Sequence, residues 1–295
     1  MLQYLSSLPG AIAQGLIWGM MAIGVYITYK ILDIADLTVD GSICTGAAVC
    51  AVMVANGKSV WLALLVAMLA GMAAGLLTGI FHTTMGIPVI LAGILTQLML
   101  WSINLKIMGK ANQALPARKF PLLVTQLRVY PSLLILAGFA IVLIAILYYY
   151  FGTEQGCAIR ATGSNPQMSR AQGINTSICR IIGLMISNAI VALSGGLLAQ
   201  YLGQADINMG RGAIVIGLAA VIIGQAVFSR IAKNFAVKLL SVLMGGVLYY
   251  FIYQTVIYMG LDTDLLKMLS AVVVAVLLAV PYWKDTYFSR LRHKE

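Results

Sequence analysis

Apolar segments of roughly 18–22 residues recur along the whole chain, and each can cross a bilayer hydrocarbon core of about 30 Å. The chain is 61% hydrophobic and 9% charged, with a mean hydropathy of +0.95. A water-soluble domain of 295 residues could not bury so much apolar surface. Backbone groups in lipid must pair internally, and segments rich in Ala, Leu, Met and Gly favour helices over barrel strands. The sequence therefore predicts an all-α polytopic transmembrane bundle, one domain over residues 1–295.

The apolar segments predict about nine spans, within a range of eight to ten. They are residues 11–29, 37–55, 60–80, 87–108, 131–151, 180–202, 213–229, 236–258 and 266–283. Nine crossings put the termini on opposite sides. The C-terminal tail carries Lys284, Arg290, Arg292 and Lys294, which favours a cytoplasmic C-terminus and an outside N-terminus. The first basic residue is Lys30, so the charged region of a cleavable signal is missing and the first segment is expected to stay as an anchor.

The net charge of +10 does not indicate nucleic-acid binding, because the basic residues lie near the ends of predicted helices, where they fix orientation. One loop fits this pattern poorly. Residues 106–128 are predicted to lie outside, yet they hold five basic residues and no acidic one: Lys106, Lys110, Arg118, Lys119 and Arg128. Either a span is missed nearby, or this basic face meets an acidic partner or the lipid surface.

Two stretches of the chain resemble each other. ADLTVDGSICTGAAV from Ala35 and ADINMGRGAIVIGLAAV from Ala205 share an Ala-Asp start and a Gly-rich entry to a helix. An odd number of predicted spans separates them, so the copies would face opposite sides, as an inverted-topology repeat requires. Glycines spaced by four, at residues 71, 75 and 79, indicate close helix packing.

The sequence offers little for enzymatic chemistry. Asn56-Gly57-Lys58-Ser59 resembles the end of a phosphate-binding loop, but Val52 stands where that loop needs Gly, and we interpret it as a turn. The histidines, His82 and His293, form no hydrolase or metalloprotease motif. We therefore predict no cofactor and no metal in this chain.

Acidic and sulfur-containing residues leave two further interpretations. Asp33, Asp36 and Asp40 would suit an aspartyl dyad or a metal site, but a solvated turn with Asp36 or Asp40 capping the next helix is favoured. The four cysteines have no paired or metal-ligand spacing, and Cys44 and Cys50 are expected inside a helix as small apolar residues.

Polar residues within spans must find partners or line a wet cavity. Those predicted for a translocation path fall in the fourth and sixth spans: Thr96, Gln97, Ser102, Asn104, Ser187 and Asn188, with Gln200 further along the sixth. Helix-to-helix hydrogen bonding is the alternative for each residue. Charged residues are nearly absent from span centres, which argues against a proton or sodium relay.

A polar stretch over residues 152–179, here called the coupling segment, interrupts the apolar pattern. Asn165 followed by Pro166 is a strong helix start, because Asn caps a helix and Pro suits its first position. Gly173 is a good helix stop. The sequence therefore predicts a two-turn helix lying along the membrane, bordered by Arg160 and presenting Arg170 to a cytoplasmic partner, in place of a solvated linker.

The coupling segment resembles that of permease subunits in bacterial ABC importers of the ribose and branched-chain amino-acid permease superfamily. The resemblance lies in Gly156, in Arg160-Ala161-x-Gly163-x-Asn165-Pro166 and in Ala171-x-Gly173-Ile174-Asn175, and continues through the following span to Ser194-Gly195-Gly196. ADLTVDGS, GIPVILAGILT and SINLKIMGKAN are similar to a branch linked to aromatic amino acids such as tryptophan or tyrosine. Gln167-Met168 departs from the alanine-richer form common at this spot.

The resemblance implies a transport subunit, not an enzyme, in the bacterial cytoplasmic membrane. Two permease copies would sit on two ATPase subunits that bind ATP and Mg²⁺, with an extracellular binding protein delivering a small solute. It implies that the ATPase is contacted by seven residues of the coupling segment: Arg160, Gly163, Asn165, Pro166, Gln167, Arg170 and Gly173. The alternatives are a gradient-driven secondary transporter or channel, and a membrane-embedded enzyme dependent on Asp36 or Asp40.

Overall fold

The computed structural model describes residues 2–117, 119–228 and 234–258, with isolated positions between 268 and 279. Within these ranges the fold is helical, with one short pair of strands. The elements, in chain order, are α1 Leu2–Tyr26 with a π-helical continuation at Ile27–Ile31, α2 Val39–Ala55, α3 Val60–Thr83, α4 Val89–Met108, β1 Asn112–Ala114, a 3-10 turn at Gln126–Arg128, α5 Val129–Tyr150, α6 Glu154–Ser164, α7 Pro166–Ala171, α8 Thr176–Leu202, β2 Gln204–Asp206, α9 Ala213–Phe228 and α10 Phe235–Tyr258.

Eight of the nine predicted spans coincide with helices. Six segments are long and apolar enough to cross a membrane: Ser7–Ile31, Val60–Thr83, Val89–Met108, Gln126–Tyr150, Thr176–Leu202 and Phe235–Tyr258. Two thirds of the ninth predicted span, 266–283, and the whole basic C-terminal tail lie outside the described residues. The protein is therefore a multi-pass helical membrane protein.

Helices α2 and α9 match the predicted spans 37–55 and 213–229 to within two residues, and both are short. They have 17 and 16 residues, so at 1.5 Å per residue they are only about 24–26 Å long. Non-helical segments that include charged residues precede both helices, at 32–38 and 207–212. The segment before α2 is partly buried, through Ile34, Asp36 and Thr38, and buried irregular backbone is tolerated at membrane depth. The segment before α9 is more open, since Asn208, Arg211 and Gly212 are exposed.

Helices α1 and α8 are the two most buried long helices, and α3 packs along α8. The predicted role of the glycine series is confirmed, since added Cβ atoms at Gly71, Gly75 and Gly79 would meet Asn188, Leu184 and Ile181 of α8, respectively. Small residues let helix backbones approach closely where lipid supplies no hydrophobic drive. Helix α1 packs against α10 in the same way, through Gly15 and Gly19.

The two ends of the bundle carry different structures. Strands β1 and β2, which lie far apart in the chain, pair antiparallel, with Gln113 opposite Ala205. We call the end of the bundle that carries this strand pair the hairpin end. The coupling segment lies at the other end of the bundle, which we call the coupling end. It connects the last residue of α5 to the start of α8. The basic loop 106–128 belongs to the hairpin end, and its described residues contain no further membrane-length helix, which removes the missed-span alternative.

Candidate functional site

The start of α2 lies in the middle of the bundle and carries a buried carboxylate. Asp36 is 2% exposed. Its Oδ1 accepts from the Thr38 amide at 2.9 Å, and its Oδ2 accepts from Asn188 Nδ2 at 2.7 Å. Asn188 is the thirteenth residue of the 27-residue α8, close to its midpoint. Asp36 therefore lies near mid-membrane depth, whereas the sequence predicted an interfacial turn.

Hydrogen bonds extend from this point to four helices. Ser42 Oγ donates to Asn188 Oδ1 at 2.6 Å. The Thr38 and Thr78 hydroxyl oxygens lie 2.7 Å apart, and Thr78 Oγ1 is 2.9 Å from Thr96 Oγ1. All these side chains are buried. They form a polar layer that joins α2, α3, α4 and α8, and low local polarity strengthens such bonds once they are fully paired.

Asp40 caps a different helix from the one predicted. Its carboxylate oxygens accept from the backbone amides of Gly212 and Ile214, each at 2.9 Å. These amides open α9, so Asp40 satisfies donors that a helix start leaves unpaired and adds a negative charge where the helix dipole favours one. The pattern of Asp before a helix could not reveal this, because the capped helix lies more than 170 residues further along.

The two similar stretches of sequence adopt the same local turn. Asp206 Oδ1 accepts from the Asn208 amide at 2.7 Å, matching the Asp36 bond to Thr38. Each turn leads into one of the two short helices, α2 and α9. The copies also touch, since the Gly210 amide lies 3.1 Å from Cys44 Sγ and a Cβ at Gly210 would collide with the Asp40 carbonyl.

A cavity of about 240 Å³ opens beside this contact, toward the hairpin end. Its lining combines charged, amide and apolar side chains, chiefly Asp40, Gln97, Leu98, Trp101, Asn104 and Arg211. Asn104 is 1% exposed, and both its amide oxygen and its amide nitrogen lack a hydrogen-bond partner among the described residues. Buried amides are almost always paired, so the unpaired Asn104 amide is an exception beside this cavity.

The residues predicted to line a path separate into three groups. Gln97 and Asn104 line the cavity. Thr96 and Asn188 belong to the polar layer. The remaining two, Ser187 and Ser102, belong to neither the cavity nor the polar layer. Ser187 donates to the Gly24 carbonyl of α1 at 2.8 Å, and Ser102 is exposed on α4.

The three N-terminal aspartates do not form a common catalytic or metal centre. Asp36 and Asp40 have separate partners on α8 and α9, and Asp33 is exposed. Among the described residues, no three His, Cys, Asp or Glu side chains converge on one point.

Cys44 and Cys50 are buried in α2, as predicted. The stretch Asn56–Ser59 forms the turn between α2 and α3, with Gly57 at φ +75°.

At the coupling end, the predicted short helix is confirmed. Helix α7 spans Pro166–Ala171, with Pro at its first turn. Asn165 Oδ1 accepts from the Met168 amide at 3.0 Å, and Gly173 has φ +83°, a left-handed conformation that favours glycine. Arg170 Nε donates to Thr176 Oγ1 at 2.8 Å, which ties α7 to the start of α8. The segment is thus a structured element.

Two predicted contact residues anchor the segment to the bundle. The Arg160 guanidinium donates to the Phe151 carbonyl at 2.7 Å and lies 4.8 Å from the Phe235 ring centroid, a cation–π distance. A Cβ at Gly163 would collide with the Ile31 carbonyl oxygen, so only glycine allows this approach of α6 to the end of α1. The most exposed apolar side chain of α7 is Met168, at 57%, next to exposed Gln167.

Three residues of the cavity were not among those predicted to line a translocation path: Asp40, Trp101 and Arg211. Arg211 lies inside the second of the two similar stretches, and Asp40 inside the first. The internal similarity was therefore the available signal, since two related turns that meet would bring these residues together. Nothing in the sequence marks Trp101 apart from other lipid-facing aromatics.

An apolar helical bundle with a polar layer at its centre and an anchored polar segment at one end is the architecture expected of a membrane transport subunit. Over residues 8–281 the chain matches the family of permease components of branched-chain amino acid transport systems, and it belongs to that family. Permeases of this kind generally work with a separate ATPase and a substrate-binding protein.

Two relatives extend over most of the chain. A tyrosine transport system permease protein of Clostridioides difficile (strain R20291) is 40% identical over 275 residues, covering 93% of this chain and 91% of the relative. An uncharacterized protein of Rickettsia prowazekii (strain Madrid E) is 36% identical over 272 residues, covering 91% and 95%. No solved structure matches the chain with significant similarity.

Proposed function

We propose that the chain is the permease subunit of an ATP-driven ABC importer. It carries a small solute, an aromatic amino acid such as tyrosine, across the bacterial cytoplasmic membrane. The family and the tyrosine-permease relative support the class of solute. The interior of the bundle, which is apolar apart from the polar layer, suits a zwitterion with an apolar part. ATP and Mg²⁺ would bind to a partner chain.

The observation that carries the proposal is the rigid attachment of α7. A ligand or partner can shift a conformational equilibrium only through contacts that differ between the two states. Helix α7 is capped at Asn165, stopped at Gly173 and fixed to α8 through Arg170. An ATPase that holds Gln167 and Met168 would therefore move the bundle with it, through the anchors at Arg160 and Gly163.

The proposal includes an arrangement in the membrane. Nine crossings would place the coupling segment and the C-terminus in the cytoplasm and the hairpin end outside, where a binding protein would deliver the solute. Two copies would form a homodimer on two ATPase subunits. The paired turns at Asp36 and Asp206, each followed by a short helix, support an inverted repeat around the polar layer.

Co-purification tests the coupling role. The tagged chain, expressed with its candidate ATPase and purified in mild detergent, should retain the ATPase. The change Met168→Glu should reduce the retained ATPase at least roughly tenfold, because it places a charge in a desolvated contact.

Met85→Glu is the matched control. Met85 is 62% exposed and follows α3 at the same end, outside the coupling segment. It should leave ATPase retention unchanged. If no ATPase accompanies the unaltered chain, or if both variants behave alike, the coupling proposal is wrong.

A gradient-driven transporter is the second candidate, and buried Asp36 favours it, because such a mechanism requires an essential intramembrane carboxylate. It predicts solute uptake by the purified chain alone in liposomes under a proton or sodium gradient, abolished by Asp36→Asn. The ABC proposal predicts no uptake without the ATPase and ATP.

A further inference from the structure

The cavity between α2, α4 and the loop before α9 contains an amide with no internal partner. Asn104 is buried, yet neither its oxygen nor its nitrogen makes a hydrogen bond among the described residues. An amide offers an acceptor and two donors. It can therefore face an ammonium group and a carboxylate at the same time, which a hydroxyl or a single charge cannot do as well.

Charged groups of both signs line the same cavity. Arg211 contributes a guanidinium to the lining, and its side chain is exposed. Asp40 contributes a carboxylate whose oxygens each accept one backbone amide from α9. Because each carboxylate oxygen accepts about two hydrogen bonds, Asp40 retains capacity for an ammonium group.

The remaining wall is apolar and has room for a ring. Trp101 and Leu98, on successive turns of α4, line the cavity. An apolar cavity of roughly 150 Å³ can hold one benzene molecule. At about 240 Å³, this cavity has space for a ring and an amino-acid head group.

We propose that this cavity is a substrate site of the permease itself, which binds a zwitterionic amino acid with a large apolar or aromatic side chain. The inference rests on the proposed transport function and adds the place and manner of recognition. Arg211 holds the carboxylate, Asp40 holds the ammonium group, Asn104 contacts both, and Trp101 stacks on the side chain.

The site also explains how an occupied permease would differ from an empty one. Asp40 belongs to α2 and caps α9, so an ammonium group on Asp40 lies at the junction of the two short helices. Binding there adds an attraction that depends on the positions of both helices. The ligand would therefore favour one arrangement of α2 and α9 over another.

Direct binding tests the inference. The purified full-length chain in detergent is titrated with radiolabelled L-tyrosine, and then with unlabelled competitors. Tyramine lacks the carboxylate, and 3-(4-hydroxyphenyl)propionate lacks the ammonium group. Each should compete at least roughly tenfold more weakly than L-tyrosine, since each lacks one of the two charged groups that Arg211 and Asp40 would pair.

Variants assign the contacts. Arg211→Gln and Asn104→Leu should each weaken L-tyrosine binding roughly tenfold or more, and Arg211→Gln should abolish the preference for L-tyrosine over tyramine. Arg128→Gln is the matched control, because Arg128 is exposed at the hairpin end and lines a different cavity. Thermal melts confirm that each variant is folded before binding is measured.

The inference is overturned if the chain binds no L-tyrosine, if tyramine competes equally well, or if the Arg211 and Asn104 variants keep the affinity of the control. Retention of the ATPase is measured on the same preparations. If L-tyrosine binding is absent but the ATPase is retained, only the proposed substrate site is wrong. If L-tyrosine binds but no ATPase is retained, only the coupling proposal is wrong.

Discussion

At the scale of single residues, two buried asparagines have opposite surroundings. Asn188 bonds to Asp36, Ser42 and the Leu184 carbonyl, whereas Asn104 has no partner among the described residues. An unpaired buried polar group costs about 1–3 kcal/mol, and loss of a partner leaves the other group unpaired. The same substitution should therefore have different consequences at the two positions.

We expect Asn104→Leu to leave the free energy of unfolding unchanged or to raise it by about 1 kcal/mol, because it removes an unpaired amide. Asn188→Leu should lower it by about 2–3 kcal/mol, because it deprives buried Asp36 of a donor. Chemical unfolding in detergent, followed by circular dichroism, measures both. Equal destabilisation by the two changes would contradict the assigned hydrogen bonding.

At the scale of elements, the sequence predicted where helices lie better than what they touch. Apolar length located eight helices, and the Asn165-Pro166 and Gly173 signals located α7, because these properties belong to neighbouring residues. Tertiary partners depend on residues far apart in the chain. For this reason Asp40 was assigned to the wrong helix.

The depth of a residue was also difficult to predict. Asp36 lies in a non-helical segment that sequence reasoning placed at the interface, yet it contacts the middle of α8. Ser102 shows the reverse error, since a polar residue inside a span can simply lie on the exposed face of its helix.

Close contact between α2 and α8 provides a test at this scale. A Cβ at Gly46 would collide with the Ala192 carbonyl oxygen, so Gly46→Ala must push the two helices apart. We expect it to lower the free energy of unfolding by about 1–3 kcal/mol, the usual cost of overpacking. Chemical unfolding in detergent measures the effect.

The control is Gly138→Ala in α5, where an added Cβ meets nothing within 4 Å. Alanine is the better helix former by about 0.5–1 kcal/mol, so this change should be neutral or stabilising. If Gly46→Ala proves as harmless as Gly138→Ala, then α2 and α8 are not in backbone contact.

At the scale of the whole molecule, the proposed arrangement requires the coupling end and the hairpin end to face opposite sides of the membrane. Cys157 in α6 is an exposed thiol, while Cys44, Cys50 and Cys179 are buried. The native chain thus carries one accessible label site at the coupling end. Between Lys110 and Cys157 the described chain has a single membrane-length helix, α5. Lys110 is exposed at the hairpin end.

A membrane-impermeant maleimide, applied to intact cells that express the chain without its ATPase, should leave the native chain unlabelled. Permeabilisation should then give labelling that Cys157→Ser abolishes, because the coupling segment faces the cytoplasm. Adding Lys110→Cys to the Cys157→Ser chain should restore labelling in intact cells. Labelling of Cys157 from outside would place the coupling segment beyond the reach of any cytoplasmic ATPase, and the importer proposal would fail even if the helices packed as described.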